Sequence, residues 1–237
     1  MLPQVPDRDR GFAGRPPVRG ARGKAAKGRV HRRFPSAGSM DGMSATTEHS
    51  VPPTGTDNGT EGRYDGGHCL LGGDDGASWR TGYVDTPGDG YVSPDETTAA
   101  QLPDGRLHFN TRTDSTAPGV RADAYSADGG RRFVRRFRPQ AGLTGPVVQG
   151  SLLSLEGPDL LLYSGLADPA ARALMTVRRS RDAGVTRQSA HTVDGLPAAY
   201  SDLVRIDDDT VGLLYETGDF SAYETITFRR IPVALLS

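Results

Sequence analysis

The chain has 237 residues with a formal net charge of −1, and 31 of its residues are glycine. That length can bury one or two domain cores, and the turn-rich composition favours a β protein. The near-neutral balance argues against a chain-wide field for nucleic acid or an anionic membrane, and no apolar run approaches the ~20 residues of a membrane span.

Residues 1–62 come first and stand apart. Arg8, Arg10, Arg15, Arg19, Arg22, Lys24, Lys27, Arg29, Arg32 and Arg33 face only Asp7 and Asp9 before residue 34, and the rest of the chain is acidic. The segment shows neither period 2 nor period 3.6, and its Arg, Gly, Ala, Pro, Ser and Thr cannot bury enough apolar surface to offset ordering entropy. A disordered segment is expected over 1–62, a solvated tail in the bland reading and a polyanion-binding arm in the sharper one. No apolar h-region follows the basic residues, so a secretory signal is not readable and the location stays open.

From Tyr64 the pattern changes to short apolar runs separated by turn signals about every ten residues, the mark of an all-β array. The single cysteine, Cys69, has no partner for a disulfide or a cysteine metal cluster and is expected to be a buried strand residue. Strands are predicted over 98–102 and 107–112 around Pro103-Asp104-Gly105, then over 121–125, 133–137, 152–155 and 160–163. Further strands are predicted over 174–178, 203–206, 211–215 and 225–231. The acid run Asp207-Asp208-Asp209 reads as a solvated hairpin turn rather than a calcium site.

Three eight-residue stretches fit one figure loosely, S-x-D-x-G-x-[ST]-[WF], at a spacing of about 54 residues. They are Gly72 to Trp79 with Asp74 and Gly76, Ser126 to Phe133 with Asp128 and Gly130, and Ser180 to Arg187 with Asp182 and Gly184. The Asp can accept backbone N–H groups two residues on, the Gly can take positive φ, and the aromatic can pack the turn on its strand. These boxes therefore read as hairpin staples rather than ligand sites, and Arg187 replaces the aromatic in the third. Four antiparallel strands with a box in the last hairpin describe a propeller blade.

Six further stretches carry a resemblance. Asp95-Glu96 with Leu102 to Leu107 and Asn110-Thr111-Arg112, Arg172 to Val177, Ala199 to Leu203, and Gly212 to Glu216 resemble, in order and separation, the C-terminal half of bacterial exo-α-sialidases of the Asp-box (BNR-repeat) type. The resemblance implies a six-bladed β-propeller, here incomplete at about three and a half blades over 63–237. It implies a retaining glycoside hydrolase that releases terminal sialic acid from a sialylated glycan, with no metal and no organic cofactor.

Its chemistry can be argued independently. Guanidinium forks suit the substrate carboxylate, and a neutral phenol is a better nucleophile than a carboxylate beside that charge. The resemblance implies Arg112 and Arg172 as two members of an arginine triad, Tyr200 as nucleophile, Glu96 as its base and Glu216 as a brace for the first triad arginine. That first arginine, in an R-I-P motif, and the acid aspartate belong to the family's early blades. Residues 1–62 match neither in length nor in composition, and Arg33-Phe34-Pro35, Asp41 and Asp65 are only faint echoes. A truncated sialidase is thus expected, with a non-catalytic carbohydrate-binding or vestigial propeller fragment as the alternative and an Asp-box interaction module as a third reading. Linkage preference and oligomeric state are not legible.

Overall fold

The computed structural model describes residues 67–72, 78–85, 92–113, 121–140 and 142–237, with the backbone of Met43–Ser44. All the described residues belong to one compact unit within Phe34–Ser237. Apart from Met43–Ser44, the segment 1–62 lies outside the described residues, as do Asp74 and Gly76 of the first box.

Among the described residues, fourteen strands form four antiparallel sheets, each built from hairpins in chain order. The first holds β1 (Met43–Ser44), β2 (Gly67–Leu71) and β3 (Arg80–Asp85). The second holds β4 (Thr97–Gln101), β5 (Leu107–Arg112), β6 (Arg121–Ser126) and β7 (Arg135–Pro139). The third holds β8 (Ser151–Leu155), β9 (Leu160–Leu166), β10 (Met175–Ser180) and β11 (Gln188–Thr192). The fourth holds β12 (Ala198–Arg205), β13 (Thr210–Thr217) and β14 (Thr225–Pro232), and a single 3-10 turn, Val233–Leu235, follows it. This is the all-β, blade-by-blade architecture of an incomplete propeller.

Strands buried on both faces form the middle of each blade. In β5 and β6 nearly every residue is buried, because one face meets the sheet before and the other the sheet after. One apolar cluster packs Cys69 and Tyr83 against Phe109, Ala122 and Phe137, joining the first two sheets. A second packs Tyr125 and Leu102 against Leu152 and Leu161, and a third packs Leu162, Met175 and Val177 against Leu203, Leu213 and Tyr215. Cys69 is fully buried in β2, as expected of it.

Two boxes close the β6–β7 and β10–β11 hairpins. In the second box the Asp128 carboxylate accepts the backbone N–H of Arg131 and Arg132 at 3.0 and 2.9 Å, while Ser126 Oγ accepts that of Gly130 at 2.9 Å. The third repeats this with Asp182 accepting Thr186 N–H at 2.9 Å and Ser180 Oγ accepting Gly184 N–H at 2.8 Å. Asp thus reaches three and four residues ahead, not two, and the serine takes the closer amide. Each box also docks on the preceding blade: Tyr83 N–H donates to Gly130 O at 2.9 Å, and Tyr125 Oη–H donates to Ala183 O at 3.0 Å. Phe133 packs on Tyr83 with ring centroids 4.0 Å apart, whereas Trp79 is half exposed, so an aromatic staple forms in the second box and not at Trp79.

The predicted strand over 133–137 begins later, at Arg135, because the box turn occupies the residues before it. The predicted strand over 203–206 extends back through Tyr200 to Ala198. Strand β11 carries no apolar pattern, since it is the outer edge of its sheet and largely exposed.

Candidate functional site

Glu96 sits on the bend just before β4, and Arg112 ends β5. Backbone bonds continue that ladder past the strands: Asp95 N–H donates to Arg112 O and Arg112 N–H to Glu96 O, each at 3.0 Å. The two side chains are thereby set side by side, and Arg112 Nη1 donates to Glu96 Oε2 at 2.9 Å. Arg112 Nε also lies 3.4 Å from Asp95 Oδ2.

Tyr200 comes from the fourth sheet, 104 positions along the chain. The β12–β13 register shifts between Ala198 and Ser201, a bulge that frees Tyr200 from the ladder. Its backbone N–H donates to Glu216 Oε2 at 3.2 Å, and its phenol donates to Glu96 Oε1. One carboxylate therefore receives the phenol on one oxygen and the Arg112 guanidinium on the other.

Arg172 lies in the β9–β10 connection, where Arg172 O accepts Ala198 N–H at 2.9 Å and so ties that loop to the start of β12. Its guanidinium is gripped from two sides, Nη1 donating to Tyr223 Oη at 2.5 Å and Nη2 to Val147 O at 3.3 Å. Tyr223 rides on the β13–β14 loop, whose Glu224 accepts Asp219 N–H at 2.8 Å.

Charge is distributed to keep the phenol neutral at rest. Burial raises the Tyr200 pKa first, and accepting-side Glu96, through its hydrogen bond and its charge, raises it further; Arg112 and Arg172 pull the other way. Burial works against the Arg112 charge, but Glu96 and then Asp95 outweigh it and the guanidinium pKa is raised. Chemically, the arrangement offers a phenol with its proton already shared to a base, next to two fixed cations. A cavity of about 330 Å³ opens beside it, lined by Gln149, Tyr200, Asp202, Leu214, Glu216 and Ile226.

The structure thus brings Glu96, Arg112 and Tyr200 into direct contact and sets Arg172 close enough to act on Tyr200 electrostatically. Glu216 meets the Tyr200 backbone. Asp128, Gly130, Phe133, Asp182 and Gly184 lie in the hairpin turns. Tyr223 and Gln149 went unread in the sequence, and Asp95 was read only as the neighbour of Glu96, with no role; Tyr223 lies on the loop after β13, the strand that carries Glu216. Among the described residues no group of three or more His, Cys, Asp or Glu is placed to hold a metal, and no helix is long and apolar enough to cross a membrane.

Residues 47–215 match the family described as BNR repeat-like domain. The chain is 32% identical over 152 residues to a sialidase of Micromonospora viridifaciens, covering 61% of this chain and 23% of that one. It is 31% identical over 131 residues to a sialidase of Bacteroides fragilis, covering 52% and 24%. Among solved structures it superposes on the Hadza microbial sialidase Hz136 with a TM-score of 0.59 and 26% identity, over 73% of this chain and 33% of the other. The chain thus spans about a quarter of the length of these two curated relatives.

Proposed function

Since the chain belongs to the BNR repeat-like family, and its sequence relatives are sialidases, we propose that it carries the nucleophile half of a retaining exo-α-sialidase site. In this reading Arg112 and Arg172 hold the sialic acid carboxylate by charge-assisted hydrogen bonds. Tyr200 Oη attacks the anomeric carbon as the glycosidic C–O bond breaks, its proton passing to Glu96. The leaving oxygen takes a proton from an acid; water then attacks the anomeric carbon of the tyrosyl glycoside, giving a proton to that acid's conjugate base, as the bond to Tyr200 Oη breaks and Glu96 returns its proton to the phenolate. Two displacements at one carbon give net retention. Glu216 holds the bulged backbone at Tyr200, and its role toward a further arginine follows only from the resemblance.

The observation that carries the reading is the single Glu96 carboxylate shared by the Tyr200 phenol and the Arg112 guanidinium. The test is hydrolysis of a fluorogenic sialoside by the 237-residue chain. Glu96→Ala is expected to lower the rate by on the order of 100- to 10,000-fold, and Tyr200→Phe to bring it to background. Full activity in Tyr200→Phe would remove the nucleophile assignment.

One observation favours a second reading, sialoglycan binding without turnover. Three carboxylates at the site are already engaged, Asp95 and Glu96 by Arg112 and Glu216 by the Tyr200 backbone, while Asp202 in the cavity wall accepts Ser151 Oγ–H and Leu203 N–H on Oδ1. None of the three beside Tyr200 and Arg112 is free to protonate a leaving oxygen. Saturable binding of N-acetylneuraminic acid, weakened by Arg172→Ala, with no hydrolysis by the unmodified chain decides for this reading.

A further inference from the structure

Tyr223 stands on the loop between β13 and β14 largely exposed, yet its hydroxyl rests on the guanidinium of Arg172, Nη1 donating to Oη at 2.5 Å. A contact between two long exposed side chains usually contributes little, because fixing both costs about as much as the bond returns. Here both ends are fixed already. Pro197 O accepts Thr217 Oγ1–H at 2.8 Å and Gly218 N–H at 3.3 Å, which pins the start of the loop. The next residue, Ala198, donates its N–H to Arg172 O at 2.9 Å, so loop and arginine hang from one two-residue anchor. Ala222, next to Tyr223, is buried in the apolar cluster with Leu213 and Tyr215, and the Glu224 carboxylate accepts Asp219 N–H at 2.8 Å across the loop. Gly218 leaves no slack: an added Cβ would strike that carboxylate and Ser221 O.

The consequence falls on the guanidinium fork. Each terminal nitrogen carries two hydrogens, so with Nη1 on Tyr223 and Nη2 on Val147 O each keeps one for an anion. A free arginine gives up side-chain freedom when it grips a carboxylate, and a fork held beforehand gives up less. Tyr200 and Tyr223 thus divide the work of two phenols: the first donates to a base, Glu96, and the second accepts from a cation. On the reading in which Arg172 holds the sialic acid carboxylate, we propose that Tyr223 is a positioning residue for that arginine, set in place by the 218–224 loop, and that it sharpens the site's preference for a ligand carboxylate over the same ligand with the charge masked.

The experiment titrates the full chain with N-acetylneuraminic acid and with its C1 methyl ester, which lacks the charge, by ligand-observed NMR. The unmodified chain is expected to prefer the acid, and Arg172→Ala to reduce that preference. Tyr223→Phe removes one oxygen and keeps the ring. It is expected to weaken acid binding by on the order of 3- to 10-fold and to leave ester binding and the thermal midpoint unchanged. Glu224→Ala, which unlatches the loop, should narrow the preference in the same direction, whereas Phe220→Ala, at an exposed position of the same loop, should not alter it. In an Arg172→Ala background Tyr223→Phe should change nothing further, since it acts through that guanidinium. Acid binding by Tyr223→Phe that is undiminished, tighter, or weakened no more than ester binding overturns the proposal, and so do additive losses in the double variant. Failure of the unmodified chain to bind the acid, or a preference that Arg172→Ala leaves intact, overturns the carboxylate reading of Arg172 itself and the positioning role with it.

Discussion

Arg187 occupies the place where the other boxes have an aromatic, and its side chain is almost wholly buried. Its two terminal nitrogens reach both oxygens of Asp123 at 3.2 Å, across the interface between the second and third sheets. Asp123 also meets His108 Nε2 at 2.9 Å and accepts from Asn110 at 2.6 Å, and Arg121 donates to Asn110 Oδ1 at 2.8 Å. Burial alone would raise the Asp123 pKa, but His108, Arg187 and Asn110 hold it far below the usual carboxylate range. Removing one partner strands a buried charge, so Arg187→Leu is expected to cost about 3–5 kcal/mol in urea unfolding. The double change Arg187→Leu with Asp123→Leu should cost less than that, because the Asp123 charge leaves with its partner and buried Arg121 keeps its bonds to Asn110 Oδ1 and Val148 O. The acid sensitivity of the interface follows in sign. His108 has a lowered pKa, chiefly from burial, so below an unfolded value of about 6.5 the unfolded chain binds the extra proton and stability falls. Asp123 adds stability above about 3.9 that is lost progressively as pH drops toward its depressed folded value. The unfolding midpoint should therefore decline from about pH 6.5 downward, and the further loss below about pH 3.9 should be smaller in Asp123→Leu/Arg187→Leu. Glu96, Arg112, Arg172 and Tyr200 were legible in the sequence because each stands in a short recognisable stretch. The Arg187 clamp was not, since its partners lie 64 and 79 positions away and nothing local marks them.

At the scale of the element, alternating or continuous apolar runs marked the inner strands well, and those strands fell within a few residues of their expected ends. Strand β11, Gln-Ser-Ala-His-Thr, was invisible because an outer edge buries little and needs no pattern. The bulge that presents Tyr200 was equally silent, as register shifts are set by partners and not by local composition. The boxes behaved differently: a turn demands particular residues, so it can be read. Gly184 shows how strict that demand is. Its φ is +88°, and an added Cβ would collide with the ring of His108 on the neighbouring blade. Gly184→Ala is expected to lose about 1–3 kcal/mol from backbone conformation and more from the displaced ring. Gly157, in the open β8–β9 turn with nothing near it, is the control. Gly157→Ala should leave the thermal midpoint unchanged within a degree or two, or raise it slightly.

At the scale of the whole molecule, one face of the fourth sheet stands open. Leu214, Ile226 and Phe228 are 45%, 71% and 50% exposed, and the register sets Leu214 opposite Phe228 and Ile226 opposite Glu216, so the three share a surface. Among the described residues nothing covers it, and contiguous apolar surface of this kind associates. Ile226, Leu214 and Tyr200 line the same cavity, so whatever seats on this face also approaches the phenol. Two consequences follow together. Sedimentation velocity should show the chain associating as concentration rises into the tens of micromolar, and Ile226→Lys with Phe228→Ser should keep it monomeric. Sialoside binding per chain should fall over the same concentration range, because association screens Tyr200 and its neighbours. In the Ile226→Lys/Phe228→Ser variant that concentration dependence should vanish, since the apolar face that associates is gone. Association that leaves sialoside binding constant would place the contact elsewhere on the molecule, the outer edges of the second and third sheets being the next exposed strands.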